Sequence, residues 1–167
     1  MNTKLKPDFI LIDLDGTLID SVPDLAYCGD EMMRELGLEP RGETASRDWV
    51  GNGVERFCER TLLGSVDGSA DPELFAKALP IFKRLYLTNN SQRSRVYDGV
   101  VEGIQWMKSQ GYRIGCVTNK AEAFTVPLLK DKGLFDLFEL VVSGDTCPEK
   151  KPSPVPLLYA AEKMGVV

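Results

Sequence analysis

The sequence predicts an α/β fold: a Rossmann-like parallel sheet with an inserted block of α-helices. Three observations predict it. The apolar run Phe9-Ile10-Leu11-Ile12 breaks into Asp13-Leu14-Asp15-Gly16, which suits a strand buried on both faces that delivers carboxylates at its C-terminal end. Residues from about 20 to 92 carry helical periodicity throughout. After them come short strand-like runs separated by helical patterns, as in a parallel sheet with crossover helices.

The bulk properties agree. The 167 residues are enough for one core with a small inserted unit. Hydrophobic residues at 43% and charged residues at 27% describe a globular chain. A net charge of −5 argues against nucleic acid as a partner. With 0 histidines, a His-based triad and a His-ligated metal are both excluded. The 4 cysteines, Cys28, Cys58, Cys116 and Cys147, show no CxxC spacing. The first three lie in apolar patterns and read as small core residues, which fits a reducing, cytoplasmic setting. The opening residues lack the apolar region of a leader, and no apolar run approaches membrane-spanning length.

In the first strand, period two places Asp13 and Asp15 on one side of the chain. Two carboxylates that close repel unless a cation lies between them, and oxygen-only ligands suit Mg²⁺. Gly16 permits the sharp turn that follows.

Ser21-Val22-Pro23-Asp24 reads as a helix start, with Ser at the N-cap and Pro in the first turn. Val22, Leu25, Ala26, Met32, Met33 and Leu36 follow a helical period, and Gly37 ends it. A short segment follows near 46–50, then the Gly51-Asn52-Gly53 loop. The next helix has Val54, Phe57, Cys58 and Leu62 on one face. Asp71-Pro72-Glu73 caps another, with Leu74, Phe75, Ala78, Leu79, Phe82 and Leu85 apolar. Pro80 inside that helix is expected to kink or break it. A helical block inserted between strands is a lid candidate, with hinges at 18–20 and 92–98.

Two readings of Gly51-Asn52-Gly53 stand side by side. It is a helix–helix turn, or a loop whose bare amides approach an anionic substrate. Arg47 and Arg56 flank it and are of a type that pairs with carboxylates, although exposed helix arginines are common.

Residues 100–111 read as a helix, Tyr112 to Val117 as a strand, and Thr118-Asn119-Lys120 as its end. A hydroxyl and an amide there offer donors to a phosphate at the C-terminal edge of the sheet. The helix near 121–132 adds its positive N-terminus. Leu140 to Ser143 forms the third strand. Lys150-Lys151-Pro152-Ser153-Pro154-Val155-Pro156 then leads into a last helix. A lysine held there can neutralise a carboxylate and a phosphate together.

The string DxDGTLxDS at 13–21 resembles the first motif of the haloacid dehalogenase-like (HAD) phosphohydrolases. Thr118 resembles the second motif. Lys-Pro-x-Pro-x-Pro-Leu-Leu resembles the third motif of the phosphoglycolate phosphatase-like members, and Val-Gly-Asn-Gly resembles their cap loop. The resemblance covers essentially the whole chain. It implies a HAD core over 1–19 and 93–167 and a helical cap over 20–92. Asp13 is then the nucleophile and Asp15 the general acid/base. Lys151, not Lys150, stabilises charge. Thr118 and Asn119 bind the phosphoryl group, and Gly51, Asn52 and Gly53 reach the substrate.

The implied chemistry is Mg²⁺-dependent hydrolysis of a small phosphorylated metabolite, 2-phosphoglycolate first. Mg²⁺ would sit on a carboxylate oxygen of Asp13 and the backbone carbonyl of Asp15. The same motifs also serve β-phosphoglucomutase-like sugar-phosphate mutases. A non-catalytic remnant that binds phosphate or a partner is a third reading. The family's fourth, acidic motif has no counterpart before Val167. The expectations are a truncated chain, weakened metal affinity and activity, and an exposed apolar edge at Phe9–Asp15 open to self-association.

Overall fold

The computed structural model describes residues 7–166. The opening residues, and the outer ends of 1–19 and 93–167, lie in part outside the described residues. Three strands form a parallel sheet: β1 (Phe9–Ile12), β4 (Arg113–Val117) and β5 (Leu140–Val142), in the order β1-β4-β5. Ile10 pairs with Ile114, and Cys116 pairs with Ile12 on one side and Val141 on the other. The central strand is buried from Ile114 to Val117. Gly115 lets it lie close to its neighbours, since a Cβ there would come within 2.9 Å of Leu11 Cδ2.

β1 departs from the expectation of a strand buried on both faces, because all four of its residues are only half-buried. It is the edge of the described sheet and pairs with β4 alone. An edge strand lacks the neighbour that would cover its other side.

Helices α5 (Val100–Ser109), α6 (Glu122–Asp131) and α7 (Val155–Lys163) accompany the sheet. Leu14, Ile104, Ile114, Leu128, Leu129 and Leu134 form its main core. Between β1 and β4 lie α1 (Val22–Glu35), α2 (Glu43–Ser46), α3 (Val54–Leu63) and α4 (Pro72–Asn89). They bury a second core around Met32, Met33, Phe57, Phe82 and Tyr86. A row of tilted rings, Phe57–Phe82–Tyr86–Phe124, has centroid spacings of 5.6, 5.5 and 4.9 Å. Because Phe124 belongs to α6, that row joins the helical block to the sheet side.

Helix α4 starts as the sequence predicts, with Asp71 Oδ1 accepting from the Leu74 N–H at 2.9 Å. Its interior proline does not end it, and α4 runs unbroken through Pro80. Ser21 stands at the N-cap of α1 but makes no side-chain cap bond. Its hydroxyl donates instead to Asp15 Oδ1 at 2.6 Å, and a carboxylate is the stronger acceptor.

The two linkers at the expected hinges pair with each other. β2 (Ile19–Asp20) and β3 (Arg95–Val96) form a two-stranded antiparallel ladder. Buried Asp24 ties the return linker down, accepting from the N–H groups of Arg93 and Ser94 at 2.9 and 2.7 Å and from the Ser94 hydroxyl at 2.6 Å. Cys28, Cys58 and Cys116 are buried, as their apolar settings predict, and burial pushes each thiol up to about 12. Among the described residues no helix is long and apolar enough to cross a membrane.

Candidate active site

Parallel strands deliver their next residues to one end of the sheet. β1 delivers Asp13 and Asp15, β4 delivers Thr118 to Lys120, and the segment between β5 and α7 brings Lys151. Gly16, at φ 77°, turns the chain back so that its N–H donates to the Ile19 carbonyl at 2.9 Å.

Lys151 Nζ donates to Asp13 Oδ1 at 2.8 Å and to the Val117 carbonyl at 2.6 Å. Lys150 points elsewhere, with its Nζ 3.8 Å from Glu55 Oε2. Asp15 forms a second pair, in which Lys120 Nζ donates to its Oδ1 at 3.2 Å. The same ammonium donates to the Tyr86 hydroxyl and lies 4.6 Å from that ring's centroid. Lys120 and Tyr86 are functional candidates that sequence reading missed. Two signals pointed to them. Lys120 lies two residues beyond Thr118, and Tyr86 continues the Phe82 face of α4, where a buried hydroxyl needs a partner.

Thr118 is buried, and its Oγ1 accepts from the Lys120 N–H at 3.1 Å. The side chain of Asn119 is engaged within the protein. Its Nδ2 donates to the carbonyls of Gly51 and Lys151, both at 2.9 Å, and its Oδ1 accepts from the Lys151 N–H at 2.9 Å. Both amide hydrogens are spent, so the side chain acts as a clamp on Lys151 and on the 51–53 loop. A glycine is required opposite this clamp, because a Cβ on Gly144 would fall 1.9 Å from the Asn119 carbonyl oxygen.

The 51–53 loop reaches the site through its glycines. Gly51 and Gly53 line a cavity together with Asp15, Lys120, Leu25 and Phe57. Its volume is about 20 Å³, room for about one water. Asn52 is exposed and turned away, with its Oδ1 accepting from Arg60 at 2.8 Å. Arg47 pairs with Asp20 and Glu43. Arg56 donates to the carbonyls of Gly68 and Val66 at 2.9 and 3.0 Å.

No group of three or more His, Cys, Asp or Glu side chains that could hold a metal occurs among the described residues. What the site offers is an oxygen-only donor set on Asp13 and Asp15. Mg²⁺ commonly takes one or two carboxylates and fills its remaining positions with water and substrate phosphate, so these residues fit it.

A carboxylate pair, a buried threonine and a lysine at the carboxyl end of a parallel sheet, faced by a helical block, define an α/β protein whose working end is that edge. Comparison with known proteins narrows the class. The chain belongs to the haloacid dehalogenase-like hydrolase family, whose model matches residues 7–167. A phosphoglycolate phosphatase of Nitrosococcus oceani is 58% identical over 161 residues, spanning 96% of this chain and 72% of that protein. The phosphoglycolate phosphatase of Thiobacillus denitrificans is 52% identical over 158 residues, spanning 94% and 69%. A crystal structure from Haemophilus somnus 129PT, described as a predicted phosphoglycolate phosphatase, superposes with TM-score 0.86 at 31% identity, covering 95% of this chain and 72% of that one.

Proposed function

We propose that this protein is a Mg²⁺-dependent phosphomonoesterase of the cytoplasm that works through an aspartyl-phosphate, with 2-phosphoglycolate as the first substrate to test. The observation that carries the reading is the Asp13–Lys151 pair, with the nucleophile candidate held 2.8 Å from an ammonium. The relatives named phosphoglycolate phosphatase support the substrate.

In the first step an Asp13 carboxylate oxygen attacks phosphorus, and the ester P–O bond breaks. Asp15 gives its proton to the departing alkoxide. In the second step Asp15 takes a proton from water, the water oxygen attacks the same phosphorus, and Asp13 is released with inorganic phosphate. Lys151 and the Thr118 hydroxyl hold the charge that builds on the phosphoryl oxygens. Asp13 and the Asp15 backbone carbonyl would hold Mg²⁺, which supplies further charge stabilisation when bound. The helical block excludes bulk water from the Asp15 side.

The test is phosphate release from 2-phosphoglycolate with Mg²⁺ and with a chelator, wild type beside Asp13→Asn. Release that needs both Mg²⁺ and Asp13 supports the reading. Release that survives Asp13→Asn would falsify it.

A further inference from the structure

We propose that Tyr86 and Lys120 form a positioning relay through which helix α4 fixes the Asp15 carboxylate while the helical block lies against the sheet. The relay rests on the acid/base role proposed for Asp15.

Lys120 is 3% exposed. A buried ammonium needs partners for its donors, and the partners it has are Asp15 Oδ1 and the Tyr86 hydroxyl. Ser21 donates to the same Oδ1 at 2.6 Å. Two donors therefore hold one carboxylate oxygen. Among the described residues no hydrogen bond ends on Oδ2. That arrangement stops the carboxylate from rotating and leaves Oδ2 to carry the proton.

The relay crosses between the two parts of the molecule. Asp15 and Lys120 follow strands of the sheet, whereas Tyr86 stands in α4 of the helical block. The Tyr86 ring is fixed between Phe82 and Phe124, which sets the direction of its hydroxyl. Burial, helped by the Asp15 charge, holds that hydroxyl well above the ordinary phenol range, so it stays neutral and accepts from Lys120. Withdrawal of α4 removes the Tyr86 oxygen from the ammonium and opens Lys120 to water. The hold of Lys120 on Asp15 is then firm only while the block is docked. This is a way to suppress proton transfer in the open site without moving the nucleophile.

Tyr86→Phe removes one oxygen and keeps the ring row, so it tests the relay with the fold intact. With 2-phosphoglycolate, kcat should fall about tenfold with KM within about twofold, since general acid–base catalysis contributes roughly 10²–10⁴ in total. With p-nitrophenyl phosphate, whose leaving group needs no proton, the first-turnover release of nitrophenolate should stay within about twofold of wild type. In an Asp15→Asn background Tyr86→Phe should cost nothing further, since residues acting through one group are not additive.

The geometry is also read without turnover. In protein carrying ¹³C-labelled aspartate, the Asp15 carboxyl resonance should be single in wild type and broadened or doubled in Tyr86→Phe. An unchanged resonance, a loss that appears in KM, or an equal loss on the nitrophenyl ester overturns the relay. Absence of Asp13-dependent phosphate release in the wild type overturns the hydrolase reading instead and leaves the resonance to decide the relay.

Discussion

Two lysine–carboxylate pairs stand side by side at the end of β1, and their surroundings differ. In the Asp13–Lys151 pair the side chains are 44% and 24% exposed. In the Asp15–Lys120 pair they are 12% and 3% exposed. The open pair faces the side from which a phosphate and a cation can arrive. The closed pair lies under the helical block, with Tyr86, Ser21 and the 51–53 loop around it. A nucleophile needs access, whereas a group that moves protons gains from the exclusion of water. One turn of chain supplies both settings because the sheet edge is open on one side and the inserted helices cover the other.

Changes that strike one pair and spare the other sharpen this contrast. Lys151→Met removes the cation beside Asp13, the proposed nucleophile, and kcat should fall by about 10²–10³ while Tm changes little, because the pair is half-exposed. Steady-state kinetics beside calorimetry checks it. Gly144→Ala puts a Cβ where the Asn119 carbonyl oxygen lies. It should cost about 1–3 kcal/mol in denaturant unfolding through overpacking and disturb both pairs, since Asn119 lies between Thr118 and Lys120. Asn119→Ala frees Lys151 and the 51–53 loop from their common clamp. The part-buried hydrogen bonds it abandons are worth about 0.5–1.5 kcal/mol each, and protease should cut the loop faster. Salt gives the smallest effect. Between about 0.1 and 1 M the Debye length falls from about 10 to 3 Å, so the Asp13 carboxyl resonance should move while that of Asp15 stays put.

The sequence made part of this contrast readable. Asp13, Asp15, Thr118 and Lys151 each follow an apolar run or precede a helix, so their placement depends on local pattern. The fold class followed from the same runs. What stayed hidden depends on chain segments that meet only in three dimensions. Lys120 finds Tyr86 across 34 positions, and Asn119 finds Gly51 across 68. The pairing of β2 with β3 joins the two linkers of the helical block and leaves no mark in either short segment. Ser21 shows how a local rule yields. It holds the N-cap position, but the Asp15 carboxylate lies within reach and takes its hydroxyl. Asn52 carries a side chain of the right type in the right loop, yet Arg60 holds it away from the cavity.

The division of labour between the pairs is tested most directly by mass spectrometry of Asp15→Asn after mixing with p-nitrophenyl phosphate and Mg²⁺. This variant keeps the proposed nucleophile and loses the proposed base for the second step. The account predicts one phosphoryl group retained on the peptide that contains Asp13, and none in Asp13→Asn treated the same way. Phosphate released at the wild-type rate by Asp15→Asn, or a phosphoryl group on any other residue, would contradict it.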